Sequence, residues 1–321
     1  MIVITGAAGF IGSCLAADLD RAGNAGLVLV DEFSRKDKQK NLEGRRFAEK
    51  TGRDEIFSWL DKNHSRVTFV IHMGARTDTA EKDPLVFDKL NLGYSKRLWQ
   101  LCSRYRLPLI YASSAATYGS GELGYSDDHS LITRLRPLNE YGISKHRFDI
   151  WALGQKQAPP FWAGLKFFNV YGPNEYHKGR MASAVLHLYR QITENGRVSL
   201  FRSHKKDVED GQQKRDFVYI KDIASVCRFL MEKRPQSGIY NVGTGSARSF
   251  IDLALGTFQA AGKEPAISFT DTPASIRDNY QYYTCADISK LRSAGYKREF
   301  YSLENGVRDY VTNYLQKGLC Y

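Results

Sequence analysis

The run Gly6-Ala-Ala-Gly9-Phe-Ile-Gly12 constrains this chain more than any other stretch. It follows directly on residues 1–5, a short apolar run with β-branched residues that reads as a buried parallel strand. Behind it, residues 11–22 carry apolar side chains at helical spacing. Strand, glycine turn and helix in that order bring small-residue backbone and free helix N–H groups to one point, where a pyrophosphate can sit. The first gap is one residue wider than in the commoner dinucleotide fingerprint, but the same physics applies. Gly6, Gly9, Phe10, Ile11 and Gly12 are therefore candidate cofactor contacts. The unit is the opening of an α/β fold with a Rossmann-type doubly wound parallel sheet.

Later segments continue the alternation. Residues 27–30 read as a second strand ending in Asp31-Glu32, an acidic position about 20 residues past the glycines that suits an adenosine ribose hydroxyl. Arg35, Lys36 and Lys38 follow closely and suit a 2′-phosphate instead, so NAD and NADP both stay open at this point. Residues 67–72 read as a strand, with His72 as a satisfied strand-end histidine and Gly74-Ala75 passing close to the cofactor. A long amphipathic helix over 87–105 contains Asn91, and residues 109–112 form the next strand. Ser114 comes just after it. A hydroxyl at a strand's carboxyl end points into the ligand crevice or caps the following turn.

Tyr141 and Lys145 lie four apart on a predicted helix over 141–155, one turn apart on one face. An ammonium beside a phenol favours the phenolate, which would bring Tyr141 within reach of acid/base work. Residues 163–168 form a further strand, ending in Asn169-Val-Tyr-Gly-Pro173.

Charge and cysteines limit the alternatives. The net charge of +11 invites a polyanion, but the basic residues are dispersed and no nucleic-acid motif accompanies them. An anionic small molecule fits as well, and no nucleic-acid partner is expected. Five scattered cysteines form no Cys-x-x-Cys pair, which argues against disulfides or zinc and for a reducing, cytoplasmic setting. His177 and His187 lack partners at metal-ligand spacing, so no metal is expected. Apolar runs are too short for a membrane span, and the start in strand-like sequence predicts no leader.

The glycine run, Ser114-Ala-Ala-Thr-Tyr-Gly119, Tyr141-x-x-x-Lys145 and Phe168-Asn-Val-Tyr-Gly-Pro173 together resemble the extended short-chain dehydrogenase/reductases of the NAD-dependent epimerase/dehydratase family. His177-Lys-Gly-Arg-Met-Ala-Ser183 with His187, Lys214-Arg-Asp-Phe-Val-Tyr219, Gly238–Gly245 and Asp278-Asn-Tyr-Gln281 narrow the resemblance to the ADP-glyceromanno-heptose 6-epimerases. The resemblance implies transient oxidation at C6 of a nucleotide-linked heptose by bound NADP (or NAD), with two bases, in lipopolysaccharide core precursor synthesis. It implies Tyr141 and Lys178 as the bases, Lys145 on the nicotinamide ribose and tuning Tyr141, and Ser114 on the reacting oxygen. It places Lys38, Met73, Gly74, Ala75 and Asn91 at the cofactor, and Asn169, Val170, Arg180, His187, Phe201, Arg215 and Tyr280 at the substrate. A homo-oligomer is expected of the same family. Among related classes, a 4,6-dehydratase is disfavoured by Ala115-Ala116, where that class carries Asp-Glu; a UDP-sugar 4-epimerase is the nearest rival.

Lys178 is a usable base only if burial or a neighbouring cation lowers its pKa, and Arg180 is the nearby cation. Arg180 stands where the family often has a small hydroxyl residue, and Met73 where it often has Glu. Residues 202–214 read as a charged surface excursion. The expected organisation is a dinucleotide-binding domain over 1–170, with 216–245 returning to it. Residues 171–215 and 246–321 then form a substrate lobe.

Overall fold

The computed structural model describes all residues except Lys82, Asp278 and Asn279, and only the backbone at Ser275 and Ile276. Asp278 and Asn279 of the expected Asp-Asn-Tyr-Gln motif thus lie outside the described residues.

Continuous apolar runs form the central strands because helices cover both of their faces. Strands β1 (Ile2–Thr5), β2 (Leu27–Asp31), β3 (Glu49–Gly52), β4 (Phe69–His72), β5 (Leu109–Ser114) and β6 (Trp162–Phe167) join the later Gly238–Val242 strand in one seven-stranded parallel sheet. Between β6 and that last strand come β7 (Asn169–Tyr171), β8 (Val198–Phe201), β9 (Lys214–Arg215) and β10 (Phe217–Tyr219), which makes Gly238–Val242 β11. Across the sheet the order is β11-β6-β5-β4-β1-β2-β3.

Alternate residues feed two cores, as the pleat requires. Ile2, Ile4, Leu27, Leu29 and Ile71 pack with the Phe10–Arg21, Ala184–Asn195 and Ile220–Lys233 helices. Val3, Val28, Val30 and Val70 face the opposite way, toward Leu60, Leu98, Trp99 and Phe148. Lys166 breaks the apolar rule on β6: it is fully buried and paired at 3.1 Å with the equally buried Asp149. Asp149 also accepts from Ser113 Oγ at 2.7 Å and Tyr111 O–H at 3.1 Å, two residues that share one face of β5, so the buried carboxylate of this charge pair is hydrogen-bonded.

Beyond the sheet, the described residues form three two-stranded pieces: β7 with β10, β9 with Arg248–Ser249, and β8 with Ile267–Thr270. The expected long helix over 87–105 divides into a π-helical stretch, Asp88–Gly93, and the α-helix Tyr94–Arg104. Strand β3 has no counterpart in the sequence reading, because Glu49-Lys-Thr-Gly52 carries no apolar run. Among the described residues, no helix is long and apolar enough to cross a membrane.

Candidate active site

The strand order reverses between β1 and β4, and an open parallel sheet binds ligands outside the carboxyl ends of its strands at such a point. A cleft of about 490 Å³ opens there. Its walls include the glycine turn, Asp31 at the end of β2 with Glu32, Arg35 and Lys38 beyond it, residues 73–78 beyond β4, and His177, Lys178 and Met181.

The turn is shaped for close approach. Gly6 has φ +66°, and a Cβ there would lie 2.6 Å from the Gly74 nitrogen; a Cβ on Gly12 would lie 2.1 Å from the Gly6 carbonyl oxygen. No side chain caps the helix that begins at Phe10, and its first turn holds no acidic residue. Its N–H groups and dipole are therefore free for an anion, which fits the pyrophosphate of a dinucleotide.

At the adenosine end, Asp31 is divided between two tasks. Its carboxylate accepts from Ala8 N at 2.9 Å and Glu32 N at 2.7 Å, locking the glycine turn to β2, and lies 3.3 Å from Lys38 Nζ. The Glu32 carboxylate accepts from Ser34 N and Oγ at 3.1 and 2.8 Å, bonds that hold it below the usual carboxylate range. Sequence reasoning missed Arg53, which lines the same end of the cleft and whose buried Nε has no hydrogen-bond partner among the described residues. Arg53 sits one residue past β3; without that strand, nothing in the sequence brought it alongside Asp31.

Beside the cleft, β5 delivers Ser114 to its carboxyl end, and the Glu140–Leu153 helix delivers Tyr141 and Lys145. The capping use expected of Ser114 is present. Its Oγ accepts from Ala116 N at 3.1 Å, capping the next turn, and it also hydrogen-bonds the Tyr141 hydroxyl.

Burial raises the Tyr141 pKa, and the bond to Ser114 lowers it only in part. The expected depression by Lys145 is not what the structure has. The Lys145 ammonium donates to the Ala112 carbonyl at 2.8 Å and is not among the groups that shift Tyr141. Burial instead pulls Lys145 itself down to about 8, against the pull of Asp149. His72 is satisfied, as the sequence suggested: its ring contacts Thr5 Oγ1 at 2.6 Å and Ser95 Oγ at 2.9 Å, and burial lowers it to about 3.

Asn91, expected at the cofactor, holds the scaffold instead. Its amide accepts from Arg76 N at 2.8 Å and donates to Arg76 O at 3.0 Å and Ser144 Oγ at 2.9 Å. It thereby ties the cleft-lining 73–78 segment to the Tyr141 helix, and it does so from a π-helical turn, a distortion often found beside functional sites.

Lys178 comes from the Tyr176–Met181 turn, with its ammonium 5.4 Å above the Phe10 ring. Burial lowers its pKa, and Glu175 works against that shift. The lowering expected from Arg180 is absent because Arg180 points elsewhere, one guanidinium nitrogen donating to both Asp78 carboxylate oxygens at 2.9 and 3.1 Å. His187 Nε2 lies 3.4 Å from the Arg180 carbonyl oxygen.

Three of the expected substrate residues converge. Arg215 is buried, lies 5.4 Å from the Tyr280 ring and 5.8 Å from the Phe250 ring, and donates to the Lys214 carbonyl at 2.9 Å. Phe201 meets Tyr280 edge-on at 6.1 Å. Asn169 and Val170 lie on β7, Asn169 exposed at its start. The 202–214 excursion is largely exposed but anchored: Tyr282 accepts from His204 N at 2.8 Å, and Gln213, itself buried, donates to the Phe201 and Arg202 carbonyls at 3.3 Å.

The chain is similar to known proteins along nearly its whole length. The profile of the NAD dependent epimerase/dehydratase family matches residues 2–243. The ADP-L-glycero-D-manno-heptose-6-epimerase of Fusobacterium nucleatum is 48% identical over 99% of this chain and 98% of its own. The protein of that name from Nitratidesulfovibrio vulgaris is 44% identical over 98% of each. The crystal structure of the Helicobacter pylori ADP-L-glycero-D-manno-heptose-6-epimerase superposes with a TM-score of 0.83 at 30% identity, over 97% of this chain and 95% of that one. With a profile match over most of its length and relatives alike from end to end, the chain belongs to the NAD dependent epimerase/dehydratase family.

Proposed function

We propose that the protein inverts C6 of the heptose in ADP-D-glycero-β-D-manno-heptose, giving the L-glycero isomer for the heptose precursor of lipopolysaccharide core. The observation that carries this reading is the pair of separate acid/base groups. Tyr141 stands beside Ser114 at the end of β5, and Lys178 stands on the cleft wall with its pKa lowered by burial. Simple hydride transfer to or from an alcohol needs one such group; a second, separately placed group suits a carbonyl that turns its opposite face to the cofactor and so moves its oxygen.

A dinucleotide held by the glycine turn, with Lys38 and Arg53 at its adenosine end, would supply reversible hydride transfer at C6. The chain's own residues handle the proton and the geometry. One base takes the C6 hydroxyl proton as the C–H bond breaks; after rotation about C5–C6, the other gives a proton to the oxygen. Ser114 holds that oxygen, and Lys145, fixed by the Ala112 carbonyl, orients the ribose beside it. Arg215, buried between aromatic rings, supplies a guanidinium for the diphosphate, with Phe201 and Tyr280 beside it. Lys38 and Arg53 supply charge for a 2′-phosphate, which supports NADP. In this reading residues 1–170 with 216–245 hold the cofactor, and 171–215 with 246–321 hold the substrate.

The test is incubation of the purified protein with the D-glycero substrate while C6 configuration is followed by NMR. Inversion is expected, with NADP released when the same preparation is denatured. Retention of configuration, alongside turnover of a UDP- or GDP-sugar, would reassign the substrate, and release of NAD would reassign the cofactor.

A further inference from the structure

Glu175 has no exposed surface and no part in the acid/base chemistry above. One carboxylate oxygen accepts from Ser183 Oγ at 2.6 Å and Gly172 N at 3.4 Å, and the other accepts from Ser183 N at 2.5 Å. Gly172 directly follows β7, and Ser183 is the N-cap of the Ala184–Asn195 helix. A single side chain thus ties the two ends of the 172–183 segment, and Lys178 lies near its middle. The Glu175 carbonyl also accepts from Lys178 N at 2.9 Å, fixing the turn from which Lys178 projects.

We propose that Glu175 is the positioning residue for Lys178: its carboxylate closes the loop that presents the lysine, and its negative charge favours the protonated ammonium. This rests on the two-base reading. Burial raises the Glu175 pKa, and the three donors and Lys178 pull it back in part, favouring its charged form. The other titratable groups facing it are Tyr176 on the same loop, Cys14 on the Phe10–Arg21 helix and Tyr310 on the Leu303–Tyr310 helix. Burial raises the pKa of all three, so they stay neutral at neutral pH and leave Lys178 as the charged partner. The sign follows: burial pulls Lys178 down and Glu175 pulls it up, so removing the carboxylate leaves the lysine more easily deprotonated.

The experiment pairs Glu175→Gln with Ser183→Ala, using Lys178→Met as the control for the two-base reading. Lys178 is titrated without turnover, by its rate of acetylation at a series of pH values read by peptide mass spectrometry. In Glu175→Gln, Lys178 is expected to lose its proton at a pH lower by about one unit or more, kcat to fall about 10- to 100-fold, and KM to change less than about threefold. Ser183→Ala keeps the charge and is expected to lower kcat less, with the Lys178 titration unmoved. An unmoved titration in Glu175→Gln overturns the proposal, whether kcat is retained or is lost together with thermal stability. A Lys178→Met enzyme that inverts at the wild-type rate would remove the two-base reading instead, and the titration would still report the coupling of Glu175 to Lys178.

Discussion

Tyr141 stands in the first turn of a long helix packed on the central sheet, whereas Lys178 stands in a short turn whose helical backbone breaks at Gly179. Regular structure places the first. Asn139 caps its helix by accepting from Gly142 N at 2.8 Å, and Lys145, one turn on, is tied to β5 through Ala112. Side-chain bonds place the second. Besides Glu175, Asn41 donates to the Asn174 carbonyl at 3.1 Å, Asn174 donates to Ser13 Oγ at 2.9 Å, and the Tyr176 hydroxyl donates to the Leu319 carbonyl at 2.8 Å. Chemical readiness runs the other way: burial moves the tyrosine away from neutral pH and the lysine toward it. A rigid scaffold fixes where a group sits but leaves its pKa to neighbours and ligands. A buried loop position prepares the pKa but leaves geometry to a few hydrogen bonds.

The largest effects come from removing either group. Tyr141→Phe and Lys178→Met are each expected to lower the rate of C6 inversion by about 10²- to 10⁴-fold, the usual contribution of a positioned acid or base. The bound dinucleotide should remain, because both changes leave the backbone of the glycine turn and the Phe10 helix in place, and its absorbance in purified protein checks that. If only Tyr141→Phe is impaired, the two regions are unequal and Lys178 is no base.

How far each region could be read from sequence follows the same division. The glycine turn, Ser114, Tyr141 and Lys145 were legible because strand ends and helical spacing are local patterns with a period. Lys178 entered through family resemblance alone; its burial depends on Phe10 and Glu175, contacts that no spacing rule reveals. Arg53 was missed because β3 lacks an apolar run and gains its strand conformation from pairing with β2. The expected links from Lys145 to Tyr141 and from Arg180 to Lys178 were inferred from proximity in sequence. Each failed for one reason: the cation found a better acceptor, the Ala112 carbonyl in one case and the Asp78 carboxylate in the other.

An intermediate effect tests the sheet-bound region through pH. Burial brings Lys145 down to about 8 from the 10.5 of an exposed lysine, so between those values the unfolded chain binds more protons than the folded one. Its charge therefore costs stability below about pH 8, and the cost disappears as pH rises toward 10.5. Over that range the stability advantage of Lys145→Met relative to wild type should shrink by about 3 kcal/mol. Urea unfolding of both proteins at a series of pH values measures it, and a difference independent of pH would mean that Lys145 is not desolvated in the folded chain.

The smallest effect belongs to the loop-bound region and asks what holds it. Arg180 lies two residues past Lys178 and pairs with Asp78 across the mouth of the cleft, with its side chain 67% exposed. Exposed ion pairs contribute about 0–1 kcal/mol, and this one competes with water and salt. If the buried bonds of Glu175 and Asn41 fix the loop, Arg180→Ser should change stability by less than about 1 kcal/mol and the substrate KM by less than about threefold. Equilibrium unfolding and initial-rate kinetics at low and at high salt provide both numbers. A tenfold rise in KM would return Arg180 to the substrate-binding role that the sequence suggested. A tenfold fall in kcat at constant KM would instead show that an exposed charge, and not the buried carboxylate alone, keeps Lys178 in place.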